Sequence, residues 1–64
     1  MKVKYDKEVD VLSIVFSESK IMVSDEDKPG IILDYDKAGT IVSIEILDAS
    51  KKMQNPTKVD YEVA

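Results

Sequence analysis

The chain has no cysteine, no histidine, no tryptophan and no arginine. Its nine basic residues are all lysine, and thirteen acidic residues give it a net charge of −4. Each absence closes off a chemistry. Without cysteine there is no disulfide frame, no thiolate nucleophile and no cysteine-ligated zinc or iron–sulfur centre. Without histidine there is no imidazole base and no Ser-His-Asp triad. An acidic chain without arginine lacks the guanidinium forks and basic face that read a nucleic acid, so no nucleic-acid partner is expected. No apolar run reaches the roughly 18 residues of a membrane-spanning helix, and Met1-Lys2-Val3-Lys4-Tyr5 does not begin a signal-peptide core. No membrane partner is expected, and the expected location is the cytoplasm.

What is present is a short chain of ordinary globular composition: 64 residues, 44% hydrophobic and 34% charged. A chain of about 60 residues buries only about 60% of its unfolded surface, so its core is marginal. Small folds offset this with disulfides, metals or self-association. Disulfides being excluded, self-association gains weight.

The patterning has period two almost throughout, as half-buried strands do. Lys2 to Tyr5 alternate polar with apolar. Leu12, Ile14 and Phe16 share one side of a second run, with Val11, Ser13 and Val15 on the other. Ile21 to Val23 form a short extended segment. Asp25-Glu26-Asp27 then reads as a solvated loop ending at Pro29-Gly30. Ile31 to Tyr35 and Ile41 to Ile46 are β-branched runs separated by Asp36-Lys37-Ala38-Gly39. A tight hairpin joins them, with Gly39 taking the positive φ of a type I turn plus G1 bulge. Asp48 is placed as a helix N-cap for a two-turn helix over 48–54, which Asn55-Pro56 ends. Thr57 to Val63 alternate again, as an edge strand, an arm or a frayed tail. The expected fold is α+β: an antiparallel, meander-like sheet of about four strands with one short helix near the C-terminus. Residues 1–54 make the domain and 55–64 a tail or edge strand.

The order Tyr5-Asp6-x-Glu8-x-Asp10-x-Leu12-x-Ile14, then Pro29-Gly30-Ile31-Ile32-Leu33-Asp34-Tyr35-Asp36, then Gly39, then Ile44-Glu45-Ile46-Leu47-Asp48-Ala49-Ser50-Lys51 resembles domain-of-unknown-function family 2283 over residues 1–52. The resemblance implies a small antiparallel sheet carrying one short helix, and it implies no activity. Members sit beside other small genes in arrangements similar to toxin–antitoxin pairs, which points to a protein partner. Family members commonly carry an aromatic and a basic residue where this chain has Ser13 and Val15, so the outer side of the second strand is less polar here.

Four polar groupings carry candidate chemistry. Asp34-x-Asp36-x-x-Gly39-x-Ile41-x-x-x-Glu45 matches an EF-hand loop at several positions. However, Ala38 and Val42 occupy ligand positions and the flanks are strands. If the hairpin forms, Glu45 lies up the ladder and cannot fold back onto an ion at Asp34 and Asp36. Asp34 and Asp36 are the metal candidates, and no cofactor is expected. Asp6, Glu8 and Asp10 could approach Asp34 or Asp36, but charged turn residues that guard sheet edges explain them better. Ser50 and Lys51 are adjacent on a helix and so point about 100° apart, which suits capping rather than a nucleophilic dyad. Tyr5, Tyr35 and Tyr61 read as packing residues with surface hydroxyls.

The remaining signal is apolar surplus. Leu12, Ile14, Phe16, Leu33, Val42, Ile44 and Ile46 suffice to meet a short helix. Val11, Val15, Ile32, Ile41 and Val59 are left over, and a wet sheet face does not keep that many. Val11, Val15, Ile32 and Ile41 are therefore the expected interface of a twofold homodimer. The expectation is a non-catalytic protein-interaction module, antitoxin-like in the sense of being the partner-binding half of a two-gene system. The alternative is a small-molecule or metal-ion binding domain using the acidic residues around the 34–39 hairpin.

Overall fold

The computed structural model describes residues 1–64. Five strands, β1 (Lys2–Asp6), β2 (Val11–Val15), β3 (Val23–Lys28), β4 (Ile31–Tyr35) and β5 (Ile41–Leu47), precede one helix, α1 (Ala49–Lys52). They form one sheet in the order β1-β2-β5-β4-β3, every neighbouring pair antiparallel. The order departs from a simple meander. After β2 the chain crosses to the far edge for β3, then returns through β4 to place β5 in the centre. No helix is long and apolar enough to cross a membrane.

The fifth strand corrects the expected four. It is β3, built from Val-Ser-Asp-Glu-Asp-Lys, with all six residues exposed. The acidic run is an edge strand and not a loop. At an edge, charged side chains face water while the backbone pairs on one side, and they deter pairing on the other.

The register divides the sheet into two unlike faces. Val3 and Tyr5 of β1, Leu12 and Ile14 of β2, Ile44 and Ile46 of β5, and Ile31 and Leu33 of β4 share the apolar face. Lys2 and Lys4, Ser13 and Val15, Ser43 and Glu45, Ile32 and Asp34, and Ser24 and Glu26 share the polar face. The period-two reading therefore assigned Leu12, Ile14, Leu33, Ile44 and Ile46 to one face and Val11, Val15 and Ile32 to the other, whereas Ile41, expected with the second set, lies past a register shift and pairs with Tyr35.

The turn between β4 and β5 is the expected one. Gly39 has φ +83°, and its N–H donates to the Asp36 carbonyl at 3.0 Å. The Asp36 carboxylate accepts from the Ala38 and Thr40 N–H groups at 3.0 and 2.9 Å. One short polar side chain thus holds the turn by local hydrogen bonds.

The helix is shorter than expected, at four residues, and Asp48 does not cap it. Asp48 sits in the left-handed region at φ 52°, with no side-chain bond to the helix. Asp10, 40 residues earlier, does the capping. Its carboxylate accepts from the Ser50 N–H at 3.0 Å and the Ser50 hydroxyl at 2.6 Å, and its carbonyl accepts from the Ala49 N–H at 3.0 Å. Met53, extended at φ −134°, ends the helix before Asn55-Pro56 is reached. A helix this short holds only through such tertiary bonds.

No strand follows α1. Pro56, Thr57 and Val59 instead close a cleft with Val3, Tyr5 and Leu12, so the C-terminal segment lies over the β1–β2 half of the apolar face. Val59, expected among the leftover apolar residues, belongs to this side. Few apolar side chains are buried: Leu12, Val42 and Ala49. The accessible surface is 5097 Å², against about 4,100 Å² for a folded monomer of this mass.

Candidate functional site

The polar face centres on Asp34, the largest fully buried side chain in the molecule at 1% exposure. Its position follows from register: Asp34 of β4 stands directly opposite Ser24 of β3 and Ser43 of β5. The Ser24 hydroxyl donates to one carboxylate oxygen and the Ser43 hydroxyl to the other, both at 2.6 Å. Small serines on both sides let the longer neighbours close over the carboxylate. No buried side-chain polar atom in the chain lacks a partner.

Glu45 of β5 is the diagonal neighbour of Asp34 on the same face. Glu45 lies up the ladder from the turn as expected, opposite Ile32. Cross-strand diagonals remain within reach of a long side chain. The two groups divide one proton unequally. Burial pushes Asp34 up, but hydrogen bonds from Ser24 and Ser43 and the neighbouring Glu45 carboxyl outweigh it and hold the carboxyl below the usual range. The Asp34 carboxylate beside it, with burial, raises Glu45. Glu45 is thus the member that keeps the proton, and Asp34 the one that stays ionised.

Asp36, the other metal candidate, uses one carboxylate oxygen to hold its own turn, and no three His, Cys, Asp or Glu side chains gather in a way that could hold an ion. Nor do Asp6, Glu8 and Asp10 approach Asp34. Strands β2 and β5 separate β1 from β4. Asp6 accepts from the Glu8 N–H at 3.0 Å.

Asp10 forms the second polar constellation. Besides Ser50, it accepts from the Tyr5 hydroxyl at 2.6 Å. The Ser50 and Tyr5 hydrogen bonds hold its carboxyl below the usual range, and the bond to Asp10 raises the Tyr5 phenol in turn. The knot ties the β1–β2 turn to α1. Asp10 has φ +58°, a conformation aspartate tolerates better than most residues. Ser50 gives both its N–H and its hydroxyl to Asp10, which ties the first turn of α1 to the β1–β2 turn.

The expected interface residues fall as follows. Val11, Val15 and Ile32 do share one face, where they are half-buried among Ser13, Ser43, Asp34 and Glu45. Ile41 lies beyond the register shift after Asp34 and pairs with Tyr35. The larger apolar expanse is on the opposite face. There Phe16 is 41% exposed and Val23 51%, while Ile14, Leu33, Tyr35 and Ile44 are only half-buried.

Compared with known proteins, the chain belongs to the family described as "Protein of unknown function (DUF2283)", which matches residues 2–50. No curated protein and no solved structure matches it.

Proposed function

Starting from a DUF2283 protein with an unfinished core, we propose that the chain is a non-catalytic protein-interaction module that self-associates. The observation that carries this reading is the sheet's apolar face, where only Leu12 and Val42 among the strand side chains are buried. A helix of four residues cannot cover five strands. Apolar surface left in water costs about 25 cal/mol per Å², so a partner that covers it gains that much.

The metal- or ligand-binding alternative has less to support it. Asp34 already accepts from Ser24 and Ser43 on both its oxygens, and no cluster of three His, Cys, Asp or Glu side chains gathers for an ion that wants six to eight oxygens. Calorimetric titration with calcium should give no heat beyond dilution. Catalysis needs a concave site with an oriented base. The titratable groups with shifted proton affinity, Tyr5, Asp10, Asp34 and Glu45, all have structural bonds that account for them.

The test is equilibrium sedimentation of the full chain. Self-association gives twice the 7.2 kDa chain mass at micromolar concentration. A monomer persisting to high micromolar concentration would end this reading.

A further inference from the structure

The two halves of the apolar face, on either side of β5, differ in height. Over β1 and β2 lies the C-terminal segment: Pro56 and Val59 sit against Val3, Tyr5 and Leu12, and Tyr61 continues past Val3 and Met1. Over β4 and β3, Leu33 and Tyr35 are half-buried, and Val23 and Asp25 of the β3 edge are exposed. One half is therefore a ridge and the other a recess. Because β5 is the third of five strands, the two halves are of equal width.

Resting on the self-association proposed above, we infer that a second copy packs apolar face to apolar face about a twofold axis parallel to β5, so that the 56–61 segment of each copy fills the β4–β3 recess of the other.

The axis follows from shape. A face-to-face twofold dimer has its axis in the plane between the sheets, either along the strands or across them. An axis across the strands sets ridge on ridge, holds the sheets apart and leaves both recesses open. An axis along β5 exchanges the halves, so that each ridge meets a recess. Heights along the strands also agree. Val59 lies at the level of Val3, and the register places Val3, Ile14, Ile44, Leu33 and, at the exposed β3 edge, Asp25 in one row. Tyr61 lies beyond Val59 toward Met1, and the row beyond Leu33 holds Tyr35 and Val23. Rotation about an axis parallel to the strands preserves these levels, which sets Tyr61 of one copy over Tyr35 and Val23 of the other.

Size agrees as well. The accessible surface exceeds that of an ordinary monomer of this mass by about 1,000 Å², and a standard stable interface covers about 800 Å² per partner. Part of the excess lies on the C-terminal segment itself, where Tyr61 is 78% exposed. Tyrosine is a common anchor at interface centres because it brings large area with little rotamer entropy.

The absence of cysteine makes the arrangement directly testable, since an introduced thiol is the only one in the chain. Val23→Cys and Tyr61→Cys are placed on separate full-length chains at exposed positions, where neither disturbs the core. The two are mixed and treated with a short bis-maleimide after sedimentation has established the dimer. The expected product is the Val23–Tyr61 cross-link between unlike chains, well above the like-chain cross-links of either variant alone. A Tyr61–Tyr61 cross-link in the Tyr61→Cys sample as the main product indicates the axis across the strands and overturns the inference. A dimer that gives neither product, and that Val15→Lys dissociates while Phe16→Lys does not, uses the polar face and also overturns it. Sedimentation as a monomer removes the underlying reading together with the inference.

Discussion

The two faces of this sheet come from the same five strands and alternate residue by residue, yet they solve burial in opposite ways. The polar face completes itself within one chain. Asp34 is enclosed at the centre, but Ser24 and Ser43 each give it a hydrogen bond and Glu45 stands diagonal to it. The apolar face remains unfinished. Its side chains can only be satisfied by more apolar surface, and the segment after α1 supplies that over β1 and β2 but not over β4 and β3. The difference teaches that polar satisfaction needs a few well-placed groups, whereas hydrophobic burial needs area, and area is what a chain of 64 residues lacks.

The sharpest way to break the comparison uses neighbours on opposite faces. Phe16→Lys should weaken self-association on the order of 100-fold, as loss of a large interface side chain and burial of a charge do. Val15→Lys, one residue away on the polar face, should change it little. Sedimentation of both variants over a concentration series reads the contrast, and equal effects would mean that the faces do not differ in this respect. Next in size is Asp34→Ala. It leaves two serine hydroxyls without their acceptor, and should cost about 2–3 kcal/mol in urea unfolding at fixed chain concentration.

Glu45→Gln tests the shared proton. The raised affinity of Glu45 means that the native chain holds a proton which the unfolded chain releases. Stability should therefore fall as pH rises from its ordinary value of 4.5 through its raised one. Asp34 works in the other direction: its depressed affinity contributes stability that is lost as pH falls through the lowered value. The wild-type chain should thus be most stable in mildly acidic solution. Glu45→Gln, which keeps a donor toward Asp34, should flatten the upper limb and gain at most about 1 kcal/mol at neutral pH. Unchanged curvature would show that the pair shares no proton. The smallest effect separates two aspartates with the same left-handed backbone. Asp10→Asn should lower the melting temperature by a few degrees, because an amide cannot accept from Ser50 at both atoms. Asp48→Asn should leave it unchanged.

Legibility in the sequence followed the range of the interaction. The 36–39 turn was readable because all its bonds lie within five residues, from Asp36 to Thr40. The assignment of Leu12, Ile14, Ile44 and Leu33 to one face, and of Val15 and Ile32 to the other, was readable because strand periodicity is local. Strand β3 was hidden because an edge strand and a solvated loop call for the same charged residues. The cap was misassigned to Asp48 because the nearest aspartate is the natural choice, while the true cap comes from Asp10. Glu45 could have been paired with Asp34 from the hairpin alone: a turn at 36–39 with its bulge sets Asp34 opposite Ser43 and diagonal to Glu45. That step was missed because the carboxylates were judged as ligands wrapping the turn and not as neighbours on a ladder.

By itself, the sequence determined the chemistries that are excluded, the strand periodicity, the turn and the family, because composition and short-range pattern settle these. Tertiary structure alone decided which half of the apolar face is covered, which aspartate caps the helix and which carboxyl keeps a proton. Those outcomes depend on strand order, and strand order brings together residues 10 and 50, or 24, 34 and 43, by backbone pairings that no local pattern encodes.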